Sequence, residues 1–202
     1  MKRPSSTYRL QLHAGFDFGK ASAILDYLRR LGVTDVYTSP YLQAEAGSMH
    51  GYNVVSHTTI NEELGGEAGY LAFTDAIRNR DLGHILDMVP NHMGIGSADN
   101  AWWTDVLENG PASMYADFFD VLWDPPKVGL RNKVLLPILG DQYGAVLERG
   151  ELKLEREGGS FGVRYWERRL PVSPCSVLPV LERVAERVDL PEDDLSRMEL
   201  ES

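Results

Sequence analysis

The residues best placed to do chemistry lie in the run Asp87-Met88-Val89-Pro90-Asn91-His92. A carboxylate sits inside an apolar strand, and an amide and an imidazole follow where the strand opens into a loop. A lone charge in such a run is costly unless it is paired or hydrogen-bonded. One reading makes Asp87 the floor of a pocket, with Asn91 and His92 contacting a ligand or bracing the loop. A plainer one makes Asp87 a turn cap and His92 part of the same polar cluster. His50-Gly51-Tyr52 is a second candidate. A ring beside a glycine can offer its face to the C–H face of a pyranose while its hydroxyl hydrogen-bonds, or it can simply pack a loop down. Trp102-Trp103 and the aromatics that follow, Tyr115, Phe118, Phe119 and Trp123, suit either a sugar or peptide groove or the small core of a subdomain.

Other residue types point to no chemistry. His13, His57 and His84 show no metal-ligand spacing, so no metal site is expected. Gly65-Gly66 lacks the Lys and Ser/Thr of a phosphate-cradling loop, and no cofactor is expected. Cys175 has no candidate base in its local sequence and reads as an inert thiol. Glycoside chemistry needs two carboxyl groups about the scissile bond. Asp87 alone lies where a central strand presents it to a crevice. The expectation is part of a binding site without a catalytic pair.

The elements that must position these groups alternate. Thr7–Leu12 has period two, with Tyr8, Leu10 and Leu12 on one side. Ala21, Ile24, Leu25, Leu28 and Leu31 form one helical stripe, closed by Gly32 at the position where a left-handed residue is wanted. Val33–Tyr37 is a second strand. A polar loop spans about 38–66, a helix lies near 67–82 with Tyr70, Phe73 and Ile77 on one side, and a third strand covers 84–89. Strand–helix alternation of this kind predicts parallel strands, whose C-terminal ends (Gln11 and His13, the loop Ser39–Tyr52, and Asp87–His92) face the ligand crevice. Beyond residue 94 the rhythm breaks. Residues 133–139 suggest a strand interrupted at Pro137, and Glu151–Glu155 and Phe161–Trp166 suggest a hairpin about Gly158-Gly159. Pro179 suggests the first turn of a helix to Val188, and Pro191 the start of another.

Composition narrows the partners. Thirty acids against 20 Lys and Arg give a net charge of −10, which repels nucleic acid and an anionic membrane surface. No apolar run approaches the roughly 20 residues of a membrane span. A single cysteine suits a reducing compartment, and a cytoplasmic location is expected. A closed eight-stranded β/α barrel takes about 250 residues, so 202 can hold only part of one.

Four motifs together, Thr7-Tyr8-Arg9-Leu10-Gln11-Leu12, Gly47-Ser48-Met49-His50-Gly51-Tyr52, Glu63-Leu64-Gly65-Gly66 and Asp87–His92, resemble the N-terminal part of the α-amylase family of glycoside hydrolases. Three longer runs, Trp103–Pro111, Val134–Asp141 and Val163–Pro171, resemble its maltooligosyltrehalose synthase branch, and the likeness covers roughly 5–175. The resemblance implies an α/β fold: residues 1–94 as strands one to three of a (β/α)₈ barrel, and 95–202 as an incomplete inserted α+β subdomain. It implies intramolecular transglycosylation on maltooligosaccharides, turning the reducing-end α-1,4 bond into α,α-1,1. A retaining mechanism would use an Asp nucleophile, a Glu acid and a further Asp. It implies that Tyr52 stacks on the sugar, His92 bonds its hydroxyls, Asp87 is the structural acid below it and Asn91 supports the loop, with His50 beside them. A trehalose-releasing hydrolase is an expected pathway partner. The position after Gly51-Tyr52 is commonly Asp in relatives and is Asn53 here. No segment resembles the family's three catalytic carboxylates, so a fragment, inactive alone, is expected. A non-catalytic α-glucan-binding module and an α-glucan hydrolase are the alternatives.

Overall fold

The computed structural model describes residues 3–185, and the chain divides into two compact units, Met1–Asn100 and Ala101–Ser202. In chain order the first unit runs β1 (Thr7–Leu10), α1 (Phe18–Ala23), α2 (Leu25–Leu31), β2 (Asp35–Thr38), β3 (Leu42–Ala44), β4 (Val54–Ile60), α3 (Gly66–Arg78) and β5 (Gly83–Leu86). Strands β1, β2 and β5 form a parallel sheet in that order. Its register aligns Arg9 with Tyr37 and Ile85, and Leu10 with Thr38 and Leu86. Alternate residues face opposite sides of a strand. Leu10 and Val36 therefore pack with Leu12, Phe18, Leu25, Leu28, Phe73 and Ile77 in one buried core under the helices. Arg9 and Tyr37 fall on the opposite face.

The alternation of strands and helices is as the sequence suggests, with corrections in detail. Tyr8 does not join Leu10 and Leu12 in the core and is 43% exposed. The first helical stripe is two helices. The Ser22 hydroxyl donates to the Phe18 carbonyl, a contact that competes with regular helix geometry, and the chain turns at Ile24. That turn leaves Leu31 exposed. Gly32 does close the second helix at φ 91°. The long polar loop contains an antiparallel pair, β3 and β4, which polar residues at Ser56, His57, Thr58 and Thr59 conceal from a search for alternation. The third strand ends at Leu86, so Asp87 lies just past it, its N–H still bonded to the Thr38 carbonyl at 3.1 Å.

The second unit contains α4 (Ala101–Asn109), α5 (Tyr143–Glu148), β6 (Leu152–Glu157), β7 (Ser160–Tyr165), β8 (Arg168–Pro171) and α6 (Pro174–Ala185). The three strands form an antiparallel sheet in chain order, and the turn at Gly158-Gly159 has both residues at positive φ, as a tight hairpin requires. Residues 133–139 form no strand, because Pro137 removes a ladder donor. Pro179 lies inside α6, and Pro174 takes its first position; residues 186–188 and Pro191 lie outside the described residues. Trp103 is buried against Phe119, while Trp102 stacks on Tyr115 at 5.1 Å.

Two features of the first unit give measurable consequences. Gly83 pairs with the buried Asp35, whose Oδ1 would lie 1.7 Å from a Cβ at position 83. Gly83→Ala should destabilise the fold by about 1–3 kcal/mol through overpacking; an unchanged urea midpoint would refute that contact. His84 is half-buried at the edge of the core, edge-on to Phe73 with 5.7 Å between rings and Nε2 3.0 Å from the Thr38 hydroxyl. Burial lowers its pKa from the usual 6.5. The unfolded chain therefore takes up the proton first, and stability is full above about 6.5 and declines as pH falls below it. Urea midpoints should drop between pH 7 and 5 more steeply in the wild type than in His84→Gln.

Candidate functional site

At the C-terminal ends of β1, β2 and β5, three side chains meet at one oxygen of the Asp87 carboxylate. Arg9 Nη1 donates to Asp87 Oδ2 at 3.2 Å, the Tyr37 hydroxyl donates to the same oxygen at 2.9 Å, and the Tyr52 hydroxyl donates to it as well. Arg9 Nη2 donates to the Tyr52 oxygen at 3.0 Å and to Gln11 Oε1 at 3.1 Å. The guanidinium carbon lies 4.8 Å from the centre of the Tyr37 ring. Gln11 in turn donates to the Met49 carbonyl at 3.0 Å, tying the strand to the loop that carries Tyr52.

That loop is shaped by its own residues. Gly51 has φ 76°, and a Cβ there would meet the Pro40 carbonyl oxygen at 2.3 Å, so the chain beside Tyr52 tolerates only glycine. The Tyr52 N–H donates to His50 Nδ1 at 3.0 Å, and the two rings lie 5.9 Å apart. His92 Nε2 is 3.1 Å from the Tyr52 carbonyl. Tyr52, Asp87, His92 and His50 are thus brought together. Asn91 is exposed and stands outside the network. His13 instead shapes a turn, accepting from Gly15 N–H at 3.0 Å.

The network includes two residues that sequence reasoning passed over, Arg9 and Tyr37. A signal for both exists in the alternation itself. Arg9 precedes the core residue Leu10 and Tyr37 follows the core residue Val36, so both must face away from the core, and a charged or hydroxylated side chain there needs a partner.

The electrostatics follow from the donors. The Tyr52 hydroxyl holds the Asp87 carboxyl below its ordinary range against the opposing effect of burial, with Tyr37 and Arg9 adding to the pull. The bond to Asp87, with burial, raises the Tyr37 phenol. At neutral pH the site is an ionised acceptor ringed by donors. An aromatic ring, an imidazole and a carboxylate in this arrangement suit a ligand rich in hydroxyl groups. Asp87 is the only carboxylate in the network, one fewer than glycoside cleavage requires. Among the described residues no group of three or more His, Cys, Asp or Glu is placed to hold a metal ion, and no helix is long and apolar enough to cross a membrane.

A second network fixes the loop from behind. Asn53 Nδ2 donates to Glu45 Oε2 at 2.7 Å, and the Gly96 N–H donates to Glu45 Oε1 at 2.9 Å. Ser48 donates its hydroxyl proton to Asn53 Oδ1. Glu45 explains the amide at position 53, since an aspartate there would oppose one carboxylate with another.

Residues 19–146 match the α-amylase catalytic domain. The chain belongs to the α-amylase family, and its parallel sheet is part of that family's β/α barrel. Within the family it is similar to proteins named maltooligosyl trehalose synthase. It is 42% identical over 177 residues to one from Mycobacterium tuberculosis, a match that covers 85% of this chain and 22% of that protein. The Arthrobacter ramosus maltooligosyltrehalose synthase structure superposes with a TM-score of 0.74 at 40% identity, covering 85% of this chain and 21% of that one. A Sulfolobus tokodaii protein of the same designation gives 0.73 at 35% identity, covering 92% and 24%. The chain therefore spans about a fifth to a quarter of the length of these relatives.

The Glu45–Asn53 pair yields a prediction. Asn53→Asp should cost about 1–3 kcal/mol at pH 8, from repulsion and the loss of a donor to a charged acceptor. The penalty should shrink toward pH 4, where one of the two carboxyls takes a proton. Adding Glu45→Gln should restore much of the loss. A double-mutant cycle in urea showing additive effects would rule out direct coupling.

Proposed function

We propose that the protein acts as a maltooligosyl trehalose synthase, converting the reducing-end α-1,4 bond of a maltooligosaccharide into an α,α-1,1 bond. The observation that carries this reading is the convergence of Tyr52, Asp87 and His92 past the C-terminal ends of parallel strands, where barrel enzymes place their sites. The similarity to proteins of that name supports the particular reaction. In this reading the Tyr52 ring stacks on a glucosyl unit and His92 bonds its hydroxyls. Asp87 anchors the subsite floor, His50 holds the Tyr52 backbone, and Asn91 supports the loop from its exposed position. Residues 1–94 supply the first three barrel strands, and 95–202 belong to a subdomain inserted after the third. The nucleophile and acid come from polypeptide equivalent to the part of the relatives not matched here, and the 202 residues alone turn nothing over. A cytoplasmic location and a trehalose-releasing hydrolase acting on the product complete the proposal.

Incubation of maltopentaose with the protein expressed from its intact reading frame is the test. Reducing ends should disappear without release of glucose or maltose, and Tyr52→Ala should lower kcat/KM by at least about tenfold, the loss of roughly 1.4 kcal/mol of transition-state binding. Released glucose or maltose would replace this reading with an α-glucan hydrolase. Maltopentaose affinity without turnover would replace it with a binding module.

A further inference from the structure

The geometry points to Arg9 as a positioning residue that locks the Tyr52 ring and hydroxyl onto Asp87, leaving the second Asp87 oxygen to accept a hydroxyl from the ligand; the last clause rests on the α-glucan reading. Tyr52 belongs to a loop and has no ladder of its own to fix it. Arg9 belongs to β1, whose backbone is paired along its length with β2. Its guanidinium reaches both ends of the Tyr52–Asp87 contact, one nitrogen on the tyrosine oxygen and the other on the carboxylate. The donor from Arg9 occupies the tyrosine oxygen, so the phenolic proton turns to Asp87. The same guanidinium lies over the Tyr37 ring and is braced by Gln11.

The partners are distributed unevenly. Arg9, Tyr37 and Tyr52 all donate to Oδ2, and Oδ1 receives no hydrogen bond from the described residues. The charged and titratable groups facing Asp87 are Arg9 from β1, Tyr37 from β2 and Tyr52 from the loop. His50 and His92 meet the Tyr52 backbone and not the carboxylate. An ionised Asp87 with one oxygen saturated is an acceptor only, suited to a sugar hydroxyl. The planar fork of arginine sets one nitrogen on each of the two oxygens in a fixed plane, whereas a lysine ammonium is a point charge on a flexible stem that fixes no such plane.

The test compares Arg9→Met, Arg9→Lys and Tyr52→Phe in the protein from its intact reading frame. Two readouts are used: the ¹³C NMR titration of the Asp87 carboxyl, assigned with Asp87→Asn, and calorimetric affinity for maltopentaose. Arg9→Met should raise the Asp87 pKa by roughly 1 unit and weaken maltopentaose binding about tenfold or more. Arg9→Lys should keep the titration near wild type yet lose affinity, separating position from charge. Tyr52→Phe combined with Arg9→Met should lose less affinity than the sum of the two single changes, since the Arg9–Tyr52 contact is lost in both. Wild-type titration and affinity in Arg9→Met would overturn the proposal, as would full rescue of affinity by lysine. Should Arg9→Met not fold, Arg9→Lys and Tyr52→Phe decide, and equal affinity in both and the wild type overturns it. A wild type that binds no maltopentaose while the Asp87 titration still moves in Arg9→Met would end the α-glucan reading and leave the positioning role standing.

Discussion

The first unit is organised around the need to neutralise one carboxylate at the end of a parallel sheet. Asp87 is partly withdrawn from water, and the donors that hold its charge come from three separate stretches of chain: Arg9 on β1, Tyr37 on β2 and Tyr52 on the loop after β3. Their meeting depends on strand register. Arg9 and Tyr37 are directly opposed, and a slip of one residue would turn both into the helix-covered core. The fold and the site are therefore one constraint seen from two sides. The apolar residues that alternate with Arg9 and Tyr37 fix the register, and the register delivers the donors.

The loops complete what the strands begin. Gly51 lets the chain pass tightly against Pro40, and that passage turns Tyr52 toward Asp87. His57 Nε2 lies 3.1 Å from the Val89 carbonyl, tying β4 to the segment after β5. The polar contacts that set Tyr52 come from β1, from the segment after β5 and, through His50, from its own loop. This distribution gives the site its rigidity, because moving the ring requires several bonds to break together.

Much of this was legible in the residues. The alternation of Leu10 and Leu12, the stripe of Phe73 and Ile77 and the apolar run before Asp87 each state a period that packing then obeys. Tyr52, Asp87 and His92 stood out because a polar group in an apolar context must find partners. What was hidden depends on contacts distant in sequence. Arg9 acquires a role only through Asp87, 78 positions away, a pairing that no local pattern announces. The β3–β4 pair escaped because the polar outer positions of β4 break the alternation. The break at Ile24 interrupts an apolar stripe that runs on through it, and beside it the Ser22 hydroxyl bonds back to the Phe18 carbonyl. The amide of Asn53 made sense only beside Glu45, which neither period nor motif joins to it.

The Glu45 bridge has a consequence for how such a chain can change. By holding Asn53 with one oxygen and the Gly96 N–H with the other, it closes a ring that ends at residue 96. The residues that seat Tyr52 and His92, from Arg9 to His92 itself, all precede that closure. Whatever follows can grow, shrink or be exchanged over evolutionary time while the surface about Asp87 keeps its shape, so diversity in the downstream segment and constancy at the site are compatible outcomes of one glutamate.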